Sequence, residues 1–385
     1  MHIWPAGKVY PCCLSHPDGI LGDTKTQSLE EIWNGEPMRR LRLNMLSDTP
    51  SNVCRRCYEL EESNMTTLRK ASNTNFKHHF EKTKDTHKDG TFEKVSMAYM
   101  DIRFSNICNL KCRSCGPQFS SSWYEDHKKL FGDPGHPSVL KVKNNMVEFM
   151  DELLPMLDSV EKVYWAGGEP LITEEHYTIL DYWISKNMQS VKMDYTTNFS
   201  QMYYKKKSIF EYWNSFKWVR VAASLDANHE RGEYLRKNIV WNKIVQNRKD
   251  MIKECPNIYF EITPTVSVYN VFNLPDFHKE WIVEGLLEPN NFRINLLLDP
   301  SYMRIQILPN EMKEKVKIKY SNHIRYLENL KGTDEVISNF KNIITYLDSD
   351  DKTNEIERWY GKTSVMDNIR TENVFEIFPE LKGIR

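Results

Sequence analysis

The sequence predicts an α/β protein built on a parallel sheet, and two observations support this prediction. The first is a series of short runs rich in β-branched and aromatic residues from residue 95 onward, and the second is that longer amphipathic stretches alternate with these runs. Strands and helices that alternate in this way pair their strands in parallel through right-handed crossovers. The sheet is then an open barrel or a doubly wound sheet, and in both the carboxyl ends of the strands carry the chemistry.

The composition is that of a folded protein with room for a core. Its 385 residues are 40% hydrophobic and 27% charged, and the length predicts two or three domains. The 52 basic and 53 acidic residues give a net charge of -1, which argues against bulk electrostatic binding of nucleic acid. We see no apolar run of about 18 residues and no secretory leader, so we expect a cytoplasmic protein without a membrane span.

The first predicted unit, residues 1–62, is a small metal-stabilised module. A turn and a short strand over 7–11 come first, and Ser28 and Glu31 form a capping box that opens a helix. A second helix follows Pro37. The module carries four of the eight cysteines, namely Cys12, Cys13, Cys54 and Cys57. So short a segment buries little core, and cysteines in a reducing compartment are more often metal ligands than disulfides.

A polar segment and a long α/β region follow this module. Residues 63–94 are predicted to be a solvated helix and linker. A metal site at His78, His79 or His87 is the less favoured alternative, because no cysteine lies close by to complete a familiar ligand spacing. Strands are predicted at 97–105, 162–165, 191–197, 218–225, 258–268 and 291–298. Helices are predicted at 118–131, 144–157, 173–187, 203–214, 230–253 and 274–284. Residues 305–385 are predicted to be helical.

Three cysteines just after the first of these strands have the spacing C-x3-C-x2-C. They are Cys108, Cys112 and Cys115. Thiolates are the usual ligands of iron–sulfur clusters, and three of them leave one iron of a four-iron cluster open. A zinc site is the alternative, but it normally needs a fourth ligand, and the closest histidine is His127.

With its downstream motifs, this triad resembles the signature of the radical SAM superfamily. Further motifs of that family follow in order: Ala166–Pro170 as its GGEP motif, 196–198 as its strand-end TN, 224–226 as its S-x-D element, 234–236 as its Y-x-R segment and 266–270 as its adenine-contact region. The resemblance covers about residues 95–300. It departs from the family at Ser114, where many members carry an aromatic residue. It implies a partial (β/α)6 TIM-type barrel over 95–304.

The resemblance implies a chemistry and a role for each residue. Cys108, Cys112 and Cys115 would bind a [4Fe-4S] cluster whose open iron holds S-adenosylmethionine (AdoMet). Reductive cleavage of AdoMet would give a 5′-deoxyadenosyl radical, which would abstract hydrogen from a substrate. The family implies contacts to AdoMet for Gly167, Gly168, Glu169, Asn198, Ser224, Asp226 and Arg236. We expect Ser224 and Asp226 to share one strand face. Alternatives stay open: a turn at the glycines, helix capping by Ser224 and Asp226, and a surface role for Arg236.

The N-terminal module resembles a twitch or SPASM element, which in relatives holds an auxiliary iron–sulfur cluster. Cys12, Cys54 and Cys57 are the expected ligands, with Cys13 as the weaker fourth, because adjacent cysteines seldom both reach one metal. Such relatives have a further cysteine before the Gly-x-Val strand, so either the N-terminus is truncated or the cluster keeps an open iron. A zinc site with four thiolates is the alternative. Cys255 is expected to be an ordinary thiol.

The expected partners are AdoMet, a peptide or small-molecule substrate and a low-potential electron donor, with neither a membrane nor nucleic acid. Two rival functions remain. One is a non-catalytic, zinc-stabilised binding protein. The other is a radical SAM enzyme that acts on RNA, which would require a basic groove that the composition does not indicate.

Overall fold

The computed structural model describes residues 1–62 and 65–384. Ser63 and Asn64, at the start of the predicted linker, and Arg385, at the end of the predicted C-terminal region, lie outside the described residues. The chain divides into two compact units. The first unit comprises Met1–Asn106, Val139–Asp194 and Ser215–Trp218, and the second comprises Ile107–Ser138, Tyr195–Asn214 and Val219–Arg385.

A mixed sheet organises the first unit. Its strands, in spatial order, are Lys162–Trp165, Tyr99–Ile102, His2–Ile3, Lys8–Tyr10 and Gly22–Asp23. The first three run parallel, with Tyr99 opposite Lys162 and His2 opposite Asp101, and the last two continue antiparallel. Met100, Asp101 and Ile102 are all buried, as expected of a parallel strand that is covered on both faces.

Helices of the first unit follow from local sequence signals. The Ser28 hydroxyl accepts a hydrogen bond from the Glu31 amide, and the Glu31 carboxylate accepts one from the Ser28 amide. The predicted capping box is therefore confirmed. The α-helices of this unit are Leu29–Trp33, Glu36–Leu46, Arg55–Glu62, Leu68–Asn75, Met146–Leu153 and Glu174–Ser185. Short 3₁₀ turns occupy Asn52–Cys54, Lys77–Asp85, Leu154–Ser159 and Pro170–Ile172.

Short paired strands and a larger set of helices form the second unit. The strands are Lys111–Cys112, Tyr203–Tyr204, Lys207–Ser208, Val219–Ala223, Arg236–Lys237, Tyr259–Ile262, Thr265–Val266 and Asn295–Leu296, while Lys192–Thr197 has residues in both units. The pair Val219–Ala223 and Tyr259–Ile262 is parallel, with Arg220 opposite Tyr259. The helices are Tyr124–Phe131, Ile209–Ser215, His229–Leu235, Trp241–Glu254, Leu274–Val283, Asn310–Glu328, Asp334–Leu347, Ile356–Arg370 and Val374–Ile377. The 3₁₀ turns are Ser121–Trp123, Ser301–Met303, Ile305–Ile307, Thr353–Glu355 and Pro379–Gly383.

Aromatic side chains fill the core of each unit. In the first unit, Trp165 packs edge-on against Trp183 at 6.1 Å and against His176 at 4.6 Å between ring centroids. In the second unit, Trp281 contacts Trp241 at 5.8 Å and stacks on Phe260 at 6.4 Å. Each such ring buries a large apolar area, and edge or offset contacts add about 0.5–1.5 kcal/mol per pair.

The predicted α/β class with a mostly parallel sheet is confirmed, and three element predictions are wrong. Residues 258–268 are not one strand, because Tyr259–Ile262 and Thr265–Val266 are separate strands with different partners. Residues 203–214 are not one helix, because Tyr203–Ser208 forms a hairpin before the helix Ile209–Ser215 begins. Residues 230–253 form two helices, separated by the strand Arg236–Lys237. Within the described residues, no helix is both long and apolar enough to cross a bilayer.

Candidate functional site

The loop of Cys108, Cys112 and Cys115 lies in the second unit and is tied down by its backbone. The strand Lys111–Cys112 pairs antiparallel with Arg236–Lys237, which places Cys112 opposite Arg236. The Cys115 amide donates to the Cys112 carbonyl at 3.0 Å. The Cys108 amide donates to the Ser121 hydroxyl at 3.3 Å, and the Cys108 carbonyl accepts from the Ser122 hydroxyl at 2.7 Å. The three thiols thus come from one short, ordered loop.

Polar groups of two predicted cofactor residues face the sulfurs of this loop. The Asn198 amide Nδ2 lies 3.9 Å from the Cys108 Sγ and donates to the Asn109 side chain at 2.9 Å. The Arg236 guanidinium lies 3.6 Å from the Cys112 Sγ and pairs with Asp226 at 2.8 Å. Hydrogen bonds to thiolate sulfur stabilise the charged form and tune a bound cluster. The structure therefore brings Asn198, Asp226 and Arg236 to the triad.

Burial opposes ionisation of two of these thiols. It raises the pKa of Cys112 and, together with the charge of Cys112, raises the pKa of Cys115 to about 12. Such thiols are poor nucleophiles at neutral pH, because the thiolate is the reactive form. Metal coordination deprotonates a thiol outright. Three half-buried thiols from one loop, with nitrogen donors close to two of their sulfurs, fit an iron–sulfur cluster.

The C-terminal region, to which the sequence assigned no role, holds this loop in place. Arg113, between two of the cysteines, has its guanidinium against the carboxylates of Asp367 and Glu372, the latter at 2.7 Å. The same guanidinium stacks 3.6 Å from the ring centroid of Tyr234, whose hydroxyl donates to Asp367 at 2.8 Å. Helix Ile356–Arg370 is therefore part of the support of the triad.

A second contact from that helix reaches the residues just after the triad. Asp126 accepts from Arg370 at 2.9 Å and from Lys111 at 3.0 Å. The Trp123 indole donates to the Cys112 carbonyl at 2.6 Å, and the Arg370 guanidinium lies 5.0 Å from its ring centroid. Sequence reasoning missed Asp126 and Arg370, because nothing local marks residues that meet across 244 positions.

One geometric expectation for the strand-end residues is wrong. The strand Val219–Ala223 ends before Ser224, so Ser224 and Asp226 follow the strand and the alternation of strand faces does not apply to them. Asp226 is buried, and its carboxylate accepts from the Thr265 amide at 2.9 Å as well as pairing with Arg236. Burial lowers the pKa of Arg236, but the charges of Asp226 and Cys112 and the hydrogen bond to Asp226 together outweigh burial and raise that pKa.

The segment expected to contact adenine is hydrogen-bonded to these residues. The buried Asn270 side chain accepts from the Ser267 amide at 2.7 Å and donates to the Asp226 carbonyl at 2.8 Å. Ser267 and Asp226 line a cavity of about 10 Å³ together with Ser114. A cavity of that size holds about one water molecule, so it establishes that these residues are neighbours and is not itself a nucleoside pocket.

The GGEP motif lies in the first unit, directly after the strand Lys162–Trp165. Gly167 has φ +103°, and a Cβ there would lie 2.9 Å from the Cβ of Arg103. Glu169 is buried and accepts from the Leu171 amide at 3.1 Å, where it opens the turn Pro170–Ile172. Backbone packing against Arg103 is thus a structural reason for glycine at position 167.

The N-terminal cysteines also lie in the first unit. Cys54 ends the turn Asn52–Cys54, and Cys57 is buried in the helix that follows. Burial raises the pKa of Cys54, and the charges of Cys12 and Cys57 raise it further. Burial likewise raises the pKa of Cys12, and Cys57 is among the charges that act on it. Cys12, Cys54 and Cys57 are therefore electrostatic neighbours, which fits a shared cluster.

Cys13 has a different environment. Cys13 is exposed as a residue, but neighbouring atoms partly bury its thiol. This partial burial, with the charges of Asp101 and Cys12, raises the pKa of Cys13 to about 11. Asp101 pairs with His2 at 2.9 Å and with Arg103 at 3.2 Å. Burial works to raise the pKa of Asp101, but the His2 hydrogen bond and the Arg103 charge outweigh it and hold that pKa below its usual value. Cys13 thus faces a carboxylate that disfavours its thiolate.

Comparison with known proteins agrees with this set of cysteines. Residues 1–58 match the model of the SPASM family, an iron–sulfur cluster-binding domain. The match spans Cys12, Cys13, Cys54 and Cys57, the four cysteines of the predicted SPASM-like module. No curated protein sequence matches the chain.

Several solved structures match the chain as well. Native anSMEcpe with bound AdoMet and the Kp18Cys peptide is 16% identical, with TM-score 0.41, over 62% of this chain and 62% of that one. Streptococcus suis SuiB bound to S-adenosylmethionine is 16% identical, with TM-score 0.37, and the match covers 70% of this chain and 57% of SuiB. TYW1 with a lysine-pyruvate adduct is 13% identical, with TM-score 0.32, over 56% and 70%. All three are radical SAM enzymes, and the chain spans less than two thirds of the length of the first.

Proposed function

We propose that this chain, which carries a SPASM-type domain at residues 1–58, is a radical SAM enzyme that cleaves AdoMet reductively. The observation that carries the proposal is the ordered loop of Cys108, Cys112 and Cys115, with the Asn198 amide and the Arg236 guanidinium at its sulfurs. A [4Fe-4S] cluster on that loop would supply the electron that splits AdoMet, so that the resulting 5′-deoxyadenosyl radical abstracts hydrogen from a substrate.

The residues of the chain have three tasks in this proposal. The three thiolates bind iron and leave one iron without a protein ligand. Arg236 offsets the charge of Cys112 and is oriented by Asp226. Asp367 and Glu372 hold Arg113 and, through it, the loop. Buried charge pairs with shared hydrogen bonds keep one geometry, which a cluster site needs.

The contacts to AdoMet follow from the family resemblance. It assigns Gly167, Gly168 and Glu169 to the methionine portion, and Asn198, Ser224, Asp226 and Arg236 to the ribose or methionine portion. Asn198, Asp226 and Arg236 lie beside the cysteine loop, which supports their share of this assignment. The same resemblance assigns residues 95–304 to a partial (β/α)6 barrel, with a helical region over 305–385.

The auxiliary cluster is proposed at Cys12, Cys54 and Cys57 in a twitch-like module over 1–62, followed by a linker over 63–94. The mutual electrostatic influence of the three thiols supports these ligands, and the exposure of Cys13 beside Asp101 makes it the weaker one. The substrate is proposed to be a peptide or a small molecule, and a low-potential donor in the cytoplasm would supply the electron.

Anaerobic turnover tests the proposal. The reconstituted protein, reduced with dithionite and given AdoMet, should form 5′-deoxyadenosine. A variant with Cys108, Cys112 and Cys115 all changed to Ala should form none and keep the iron of the N-terminal site. Cys255→Ala is the matched control. Cys255 is buried in the second unit, where its thiol donates to the Phe210 carbonyl at 3.5 Å.

Two results would decide for the rivals. Protein that holds zinc at both cysteine sets and forms no 5′-deoxyadenosine would be a metal-stabilised binding protein. Tight binding of tRNA at physiological salt, together with AdoMet cleavage, would point to an RNA substrate, and its absence would exclude that rival.

A further inference from the structure

Two adjacent histidines and a distant glutamate converge in the first unit. His78 and His79 lie on the 3₁₀ turn Lys77–Asp85, and Glu161 directly precedes the strand Lys162–Trp165. The Nε2 of His78 lies 2.8 Å from one oxygen of Glu161, and the Nε2 of His79 contacts the other oxygen. The three ligand atoms all lie within 4.8 Å of one another.

This convergence is not explained by helix geometry. Consecutive residues of a 3₁₀ helix point about 120° apart, since three residues complete a turn. Both rings nevertheless turn to one carboxylate, with their centroids 4.3 Å apart. An exposed ion pair gains at most about 1 kcal/mol, and one histidine would be enough to form it.

Glu161 is held rigidly enough to act as a metal ligand. Its amide donates to the Ala98 carbonyl at 2.9 Å, and its carbonyl accepts from the Lys192 amide at 2.8 Å, so its backbone is bonded on both sides. His79 lines an apolar cavity of about 320 Å³, with Trp33 and Phe92 also in its wall. The turn that carries both histidines therefore packs beside a cavity, where a cross-link to the sheet would stabilise it.

We propose that His78, His79 and Glu161 bind a divalent transition-metal ion, of which Zn²⁺ is the reference case, as a structural staple. Two imidazoles and a carboxylate suit Zn²⁺, Co²⁺ or Ni²⁺ and not Ca²⁺ or Mg²⁺, which take oxygen ligands. Water would complete the coordination. The metal would link Glu161 to His78, 83 positions earlier in the chain, and to His79, 82 positions earlier. It would thereby fasten the turn Lys77–Asp85 to the sheet. The site uses no cysteine and does not depend on the proposed catalysis.

Zinc uptake by full-length protein tests this site. The iron–sulfur-reconstituted protein is dialysed anaerobically against micromolar Zn²⁺, and its metals are counted. Wild type should hold one zinc ion at this site. The double variant His78→Ala/His79→Ala and the variant Glu161→Gln should each lose it, with the zinc affinity falling more than about 100-fold. A loss of that size exceeds the usual effect of removing a residue that only hydrogen-bonds a metal ligand. His87→Ala is the matched control, because His87 lies beyond the same turn and outside the cluster, and it should keep the zinc.

A second readout separates the staple from zinc bound elsewhere. Zn²⁺ should slow hydrogen exchange across Lys77–Asp85 in wild type and in His87→Ala, but not in the other two variants. All variants should retain the circular dichroism and the cluster absorbance of wild type. Equal zinc content in wild type and His78→Ala/His79→Ala, or unchanged exchange in wild type, would overturn the proposal and leave an ion pair only.

Discussion

At the scale of single residues, burial opposes ionisation of one or more cysteines in each candidate cluster site. The pKa of Cys115 is raised to about 12 and that of Cys13 to about 11, mainly by burial. Binding of iron to such thiols must release protons, so assembly of a cluster is favoured by higher pH. The guanidinium of Arg236 near Cys112 partly offsets this cost by favouring the thiolate.

Gly167→Ala is expected to destabilise the protein. The backbone at φ +103° strains any residue with a Cβ, and the new methyl group would lie 2.8–2.9 Å from side-chain atoms of Arg103. Backbone strain of this kind costs about 1–3 kcal/mol. Urea unfolding of the zinc-free and cluster-loaded protein measures the change.

Gly361→Ala is the matched control for that substitution. Gly361 lies in the helix Ile356–Arg370, where an added Cβ meets nothing within 4 Å. Alanine in a helix interior should be neutral or stabilise by up to about 1 kcal/mol. Equal effects of the two substitutions would mean that Gly167 is not conformationally required.

At the scale of elements, the C-terminal helix Ile356–Arg370 supports the cysteine loop. Asp367 receives bonds from Arg113, from the Tyr234 hydroxyl and from the Val374 amide, the last at 2.8 Å. Arg370 reaches Asp126 from the same helix. Arg113 is nearly inaccessible, with 2% of its side chain exposed, so its charge depends on these carboxylates.

Asp367→Asn is expected to weaken that support. The substitution keeps the shape of the side chain and removes the charge that faces the Arg113 guanidinium. Hydrogen bonds to a charged group contribute about 1.5–3 kcal/mol, so stability should fall by that amount and iron retention at the triad should fall with it. Unfolding and iron analysis of the purified variant measure both.

Glu376→Gln serves as the control for Asp367→Asn. Glu376 lies in the next helix, Val374–Ile377, where its exposed side chain accepts a hydrogen bond from its neighbour Asn373. The Glu376→Gln variant should retain wild-type iron and stability. Asp367→Asn protein that keeps full iron content and stability would show that the helix does not brace the loop.

At the scale of the whole molecule, buried histidines link stability to pH. Burial lowers the pKa of His176 to about 3, of His278 to about 3 and of His323 to about 4. His278 and His323 contact each other at 2.9 Å, and the Nε2 of His278 lies 2.9 Å from the Pro289 carbonyl. These rings are neutral in the folded protein at neutral pH.

Stability should therefore be lost as the pH falls below about 6.5. The unfolded histidines titrate near 6.5, so the unfolded state binds more protons than the folded one between about 6.5 and 3. Well below 6.5, each buried histidine contributes a slope of about 1.4 kcal/mol per pH unit. His278→Gln should reduce the slope between pH 6 and 5 in urea unfolding. An unchanged slope in that variant would contradict the assignment.

Local sequence determined the cysteine motif, the first helix start and the fold class. The triad, the capping box of Ser28 and Glu31 and the alternation of strands and helices are visible in short windows, because spacing and periodicity depend on near neighbours. Asn198, Asp226 and Arg236 were placed by motif order and do lie at the cysteine loop. The positions of Gly167, Gly168 and Glu169 relative to AdoMet, and the barrel itself, stay predictions.

Tertiary structure alone decided the partners that are distant in sequence. Asp367 follows Arg113 by 254 residues, and Glu161 follows His78 by 83, so no local pattern announces either pair. The strand His2–Ile3 is two residues long, too short for any periodicity, and it pairs both with its neighbour Lys8–Tyr10 and with the distant Tyr99–Ile102. Hydrogen bonds and ion pairs of this kind form only once packing has brought their residues together, which is why composition and spacing cannot show them.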